Sequence, residues 1–247
     1  VFYPLGFAVE IATNSQGVLE AAAESWGTLR QRHTNPTLRI RVVVSDAGSE
    51  ECPPEPVVRA HRYVLSSVAD RNNQAICDLR ERIASIWVNR GALRHRAYLR
   101  YHFIEAIAFT LIATSYVMPI HAACVSFNGC GLLLCGESGA GKSSLAYACA
   151  RAGWTYTSDD ASYLLHSADQ PRIIGNPAQF RFRPSARALF PILLGRSLTP
   201  RARGKPSIEV PTSQMSGIHA SEEAHPRYAI FLNRQPYGPA ELLQLPK

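Results

Sequence analysis

Lysine is nearly missing from this chain: its 247 residues hold three, Lys142, Lys205 and Lys247, among 26 basic side chains. Arginine supplies the rest, and against 19 acids the formal net charge is +7. Such a balance favours an anionic partner (a nucleotide, a phosphorylated substrate or nucleic acid) without choosing among them. Long hydrophobic runs are also missing. The longest covers residues 103–112, is broken by Glu105, and falls far short of the ~20 residues a spanning helix needs. No membrane span is expected. The opening VFYPLGFAVE lacks the basic start and apolar core of a secretory leader. Six cysteines are present, Cys52, Cys77, Cys124, Cys130, Cys135 and Cys149, yet no pair has the spacing of a metal knuckle or a redox motif. They read as small hydrophobes in a reducing compartment, so a cytoplasmic protein is expected. Repeats and low-complexity tracts are absent, and 46% apolar against 18% charged residues excludes a disordered or fibrous chain.

What is present reads first as a small α+β unit over residues 1–92. A strand is expected at 9–12. A helix capped by Asn14 or Ser15 should run to Trp26, with Gly27 as its stop. LRIRVVVS at 38–45 alternates and then turns β-branched, which marks a strand, and residues 61–89 read as a β-meander. Leu99, Phe103, Ile107 and Leu111 recur at helical spacing, so one long helix is expected over 94–114. It links into a second unit covering 93–247, with 93–115 as the linking helix.

The chemistry concentrates at Gly136-Glu137-Ser138-Gly139-Ala140-Gly141-Lys142-Ser143, which satisfies G-x-x-x-x-G-K-[ST] throughout. The flanks agree: GLLLC at 131–135 is a strand entering the loop, and a helix leaves from Ser143. Glycines allow positive φ and close backbone approach, so loop N–H groups can ring a phosphate at the positive end of a helix. Lys142 would reach the β/γ oxygens, and Ser143, with Ser144 behind it, would face the phosphates, the Ser143 hydroxyl holding Mg²⁺. ATP and Mg²⁺ are the expected ligands.

Two further segments should meet this loop. Asn128-Gly129 is the preferred two-residue hairpin turn. In that register residue 121 lies opposite residue 136, placing His121 beside the loop's first glycine. After the helix, a strand near 154–157 returns the chain to the phosphate edge and delivers Asp159 and Asp160. Two adjacent carboxylates there can divide two tasks, one holding Mg²⁺ and one accepting a proton from an attacking hydroxyl.

The run HAACVSFNGCGLLLCGESGAGKSSLAYACARAGWTYTSDD resembles the catalytic core of the HPr kinase/phosphorylase family, P-loop serine kinases related in fold to ATP-dependent phosphoenolpyruvate carboxykinase. The close resemblance covers about residues 119–165, and residues 1–92 do not share it. It implies an α/β catalytic domain with a mixed sheet and helices, and ATP-dependent phosphorylation of a hydroxyl. By position it implies Lys142 and Ser143 on phosphates and metal, Asp159 as base, Asp160 as its metal-linked neighbour and His121 as a residue positioning the first Asp. A homo-oligomer follows by analogy alone. The resemblance departs at Gly175-Asn176-Pro177-Ala178-Gln179-Phe180-Arg181-Phe182-Arg183. Arginine stands there where the family has an acid, which speaks against phosphorolysis and against HPr as acceptor.

Arg181 and Arg183 alternate with Phe180 and Phe182. They either clamp phosphate or form an exposed sheet face. Arg203 and Lys205, in a basic glycine-containing loop, either close over the γ-phosphate or form a solvated turn. A kinase acting on a protein, peptide or small-molecule hydroxyl is the leading expectation. A nucleotide-binding switch without transfer is the alternative. No Asn-Lys-x-Asp guanine motif occurs, and no aromatic-basic recognition motif supports a nucleic-acid partner.

Overall fold

The computed structural model describes residues 1–166, 170–199, 206–234 and 238–245. They form a mixed α/β structure that divides into two compact units. Val1–Pro119 and 164–166 belong to the first; Ile120–Tyr163, 170–199, 206–234 and 238–245 belong to the second. The helical stretch expected to lead the second unit thus belongs to the first.

The first unit is built on one six-stranded sheet. β1 (Val9–Thr13) runs into α1 (Gln16–Trp26) and returns as β2 (Leu38–Ser45), parallel to β1. The meander follows as β3 (Val57–His61), β4 (Val64–Asp70), β5 (Asn73–Asp78) and β6 (Ile83–Asn89), giving the order β1-β2-β6-β5-β4-β3. The start of α1 does not use the expected side-chain cap. Thr13 Oγ1 accepts the Ser15 N–H at 3.2 Å, while Asn14 bridges to both backbone groups of Val44 at 2.9 Å.

The single helix expected over 94–114 is instead α2 (Arg90–Arg94), α3 (Arg96–Leu99), a π-helical segment over Arg100–Glu105 and α4 (Ala106–Ser115). The apolar residues explain the wide segment. A strict four-residue spacing drifts by about 40° per step in a helix of 3.6 residues per turn. One wider turn resets the phase, and Leu99, Phe103, Ile107 and Leu111 are all buried. Glu105, the acid inside the longest apolar run, is held by Ser25 Oγ at 2.5 Å and Arg100 Nη2 at 3.2 Å. Among the described residues no helix is long and apolar enough to cross a membrane.

β7 (Val117–Ile120) leads to the second unit, whose first elements are β8 (Ala122–Phe127), β9 (Cys130–Cys135), α5 (Lys142–Arg151) and β10 (Thr155–Ser158). Asn128 and Gly129 both have positive φ, 49° and 77°, the mirror-image turn that suits a tight hairpin. Phe127 faces Cys130 and Ala122 faces Cys135, the register read from the sequence. β11 (Ser162–Leu165), β12 (Ile173–Ile174), β13 (Gln179–Phe182), β14 (Ile208–Pro211), β15 (His219–Ala220), β16 (Glu223–Ala224) and β17 (Pro226–Phe231) complete the strands. The central sheet has the order β15-β10-β8-β9-β17. β8 is antiparallel to both β9 and β10, so β9-α5-β10 is a parallel crossover over one intervening strand. β17 is an edge strand of that sheet, and Tyr228 and Phe231 are exposed despite its apolar run.

The core of this unit is aromatic. Tyr147 of α5 meets the edges of Phe180, Phe182 and Phe190 at ring separations of 4.8–5.4 Å, and Tyr156 stacks on Phe180 at 3.8 Å. Edge-on pairs of this kind add to the gain from burial alone. They fix α5 and β13 against the sheet whose edge carries the site.

Candidate phosphate-binding site

Strand direction assembles the site. β9 ends at Cys135 and β10 ends at Ser158, while the antiparallel β8 begins at Ala122. The residues just beyond those three ends, Gly136, Asp159 and His121, therefore share one edge of the sheet.

The loop after β9 holds Gly136, Gly139 and Gly141 at φ of 145°, 95° and 106°. A side chain at any of the three would be strained, and a Cβ on Gly136 would also stand 3.0 Å from the Leu232 carbonyl oxygen. Gly141 occupies the N-cap of α5 and makes no side-chain cap. The first N–H groups of that helix are thus left for a ligand at its positive end.

Lys142 is 94% buried, being 6% exposed. Its ammonium donates to the Gly136 carbonyl at 2.7 Å and the Glu137 carbonyl at 3.1 Å, and lies 3.0 Å from His121 Nε2. All three partners can accept, so the charge is satisfied without a carboxylate. For Nε2 to accept, the ring proton must sit on Nδ1. Nδ1 faces Asp160 Oδ1 at 3.6 Å. The imidazole therefore stands between Lys142 and Asp160, and the carboxylate it approaches is the second of the pair.

Asp159 is buried and Asp160 is half-exposed. Asp159 Oδ2 accepts the backbone N–H of Arg181 in a short hydrogen bond. Burial pushes its carboxyl up to about 7, against the opposing pull of the Arg181 N–H and guanidinium. A carboxyl tuned to that range can take up and release a proton near neutrality.

Several supports were invisible in the sequence. Ser158 Oγ and Ser162 Oγ lie 2.6 Å apart, and Ser162 Oγ donates to the Ala122 carbonyl at 2.9 Å. This brace encloses the aspartate pair and ties it to the residue beside His121. Gly175 approaches so closely that an added Cβ would lie 2.4 Å from the Thr157 carbonyl oxygen. Neither feature has a periodic or motif signal.

The two arginines separate. Arg181 Nε lies 3.3 Å from Glu209 Oε1, whereas Arg183 Nη2 donates to Ser138 Oγ of the glycine loop at 2.8 Å. Arg203 and Lys205 lie outside the described residues. Among the described residues no group of three or more His, Cys, Asp or Glu could hold a metal ion. Mg²⁺ bound with a nucleotide asks less of a protein, needing one or two hard oxygen ligands beside phosphate oxygens. The Ser143 hydroxyl and the half-exposed Asp160 carboxylate fit that demand.

No family model matches the chain, and no curated protein matches it. Among solved structures it is similar to the HPr(Ser) kinase/phosphatase from Coxiella burnetii, at 20% identity and a TM-score of 0.33. The match covers 52% of this chain and 66% of that one, just under two thirds of its length.

Proposed function

We propose that this chain is an ATP-dependent kinase that transfers the γ-phosphoryl group to a hydroxyl on a protein, peptide or small molecule. On this reading the second unit is a P-loop catalytic domain, preceded by an α+β domain. One observation carries it: the buried Lys142 ammonium is gathered by Gly136, Glu137 and His121 at the sheet edge that also bears Asp159 and Asp160.

Loop N–H groups from Glu137 to Ser144 and the Lys142 ammonium hold the triphosphate, and the lysine exchanges its carbonyl partners for phosphate oxygens. Ser143 and Asp160 would hold Mg²⁺, which neutralises charge on the β- and γ-phosphates. Asp159 accepts the acceptor's hydroxyl proton as the oxygen attacks phosphorus, and the β–γ bridging oxygen leaves on ADP. His121, between Lys142 and Asp160, fixes the orientation of both.

The test incubates the protein with ATP·Mg²⁺ and candidate acceptors, and follows ADP and the mass of each acceptor. ADP should form in step with a gain of one phosphoryl group on the acceptor. Lys142→Ala should lower that rate by at least about a hundredfold; normal turnover by the variant would defeat the reading.

A second reading, a nucleotide-controlled switch, is favoured by one feature. Asp159 is buried, with one carboxylate oxygen committed to the backbone of β13, as a structural group would be. Tight nucleotide binding with no phosphorylated acceptor would decide for it.

A further inference from the structure

Arg183 reaches the glycine loop at Ser138, donating to its hydroxyl at 2.8 Å. Its backbone is extended, with φ −69° and ψ 152°. The following Pro184 enforces that conformation. β13 just before it is fixed twice: Phe182 pairs with Ile208 of β14, and the Arg181 N–H is bound by Asp159. The guanidinium is thus delivered from a rigid anchor. It donates to Ser138 Oγ, the hydroxyl between Glu137, whose carbonyl holds Lys142, and Gly139. Among the described residues Arg183 forms no ion pair, and the partner of its guanidinium there is the neutral Ser138 hydroxyl.

We infer that Arg183 determines how many phosphates the site prefers, leaving Ser138 to bind the terminal phosphate of a nucleoside triphosphate in addition to the contacts that Lys142 and the loop N–H groups make along the phosphate chain. The inference rests on the kinase reading of this loop and adds a selectivity to it. A guanidinium–hydroxyl bond is neutral on one side, whereas guanidinium and phosphate form a charge-assisted, commonly bidentate pair. The exchange is therefore downhill when a terminal phosphate is within reach, and has nothing to gain when the phosphate chain ends one unit earlier. Arg183 also carries the branched, planar donor set that a lysine lacks. This makes it a positioning residue for the transferring group.

The test is isothermal titration of the full chain with ATP·Mg²⁺ and with ADP·Mg²⁺, using the wild type, Arg183→Ala, Arg183→Lys and Ser138→Ala. The wild type should favour ATP by about tenfold or more. Arg183→Ala should shrink that preference by about threefold or more, chiefly by weakening ATP. Arg183→Lys should recover only part of the preference. Ser138→Ala should keep the preference, because the hydroxyl is merely the resting partner. Equal weakening of ATP and ADP in Arg183→Ala, or an unchanged preference, overturns the inference while leaving the kinase reading intact. Should the wild type bind neither nucleotide, the kinase reading falls and takes this inference with it. Because Ser138→Ala alters no buried group, a folding defect in the arginine variants leaves a second decision: loss of the preference in Ser138→Ala also overturns the exchange.

Discussion

At the scale of single residues, Asp159 is the group on which pH should act. In the unfolded chain its carboxyl titrates near 3.8, and burial in the fold raises this to about 7. Between those values the native state holds a proton that the unfolded chain has released. Stability therefore falls as pH rises through this window, and the loss is complete above it. Asp159→Asn keeps an oxygen for the Arg181 N–H and has no charge to bury. Its melting temperature should change less than the wild type's between pH 4 and 7, and at pH 8 should exceed it by about 3 °C or more. Phosphotransfer by the wild type should rise with pH through about 7, while Asp159→Asn should bind nucleotide and transfer nothing. A parallel pH–melting profile in the variant would show that Asp159 is already ionised in the fold. The sequence placed both aspartates at the phosphate edge, and the family resemblance implied that His121 positions the first of them. The imidazole instead faces Asp160, and the pairing of β10 with β8 has a register irregularity between Tyr156 and Ser158, just before the two aspartates. A local irregularity of this kind leaves no trace in residue spacing.

Among the elements, those defined by local chemistry were legible and those defined by distant packing were not. β2 was read residue for residue from its alternation, and the β8–β9 register from Asn128-Gly129. The helix over 94–114 was misread because apolar spacing reports which residues are buried, not how the backbone absorbs a phase drift. β17 carries the apolar run YAIF, yet it lies at the sheet edge with β9 as its neighbour, and edge position is a property of topology rather than composition. Gly175 shows the same limit beside the candidate site. Nothing near it in the chain marks it as constrained, and the constraint comes from the Thr157 carbonyl and the Ser158 Cβ, 2.4 and 2.9 Å from where its Cβ would be. Gly175→Ala must push back the strand that delivers Asp159. A loss of about 1–3 kcal/mol of stability is expected, the usual cost of overpacking, together with a shift in the pH profile of transfer as the burial of Asp159 relaxes. Chemical denaturation measures the first and steady-state rates the second. A stable variant with an unaltered profile would mean that the close approach does not hold Asp159 in place.

On the scale of the whole molecule, each unit carries a core of its own. The first buries residues such as Phe7, Ile40, Ile86, Phe103 and Leu111; the second is organised around Tyr147, Tyr156, Phe180 and Phe182. Every residue placed at the candidate site and described by the structure belongs to the second unit. A ligand that binds only the native form of one cooperative unit stabilises that unit by mass action, about 2.7 kcal/mol at a hundredfold excess over Kd. For a unit of this size that should raise its transition by roughly 8 °C or more. Scanning calorimetry of the full chain should therefore show two transitions, of which ATP·Mg²⁺ moves one and leaves the other in place. Lys142→Ala should abolish the shift without altering the unmoved transition, since that lysine lies wholly within the second unit. If nucleotide instead moved a single merged transition, the two cores would be one cooperative structure, and the first unit would have to be counted as part of the nucleotide-binding body.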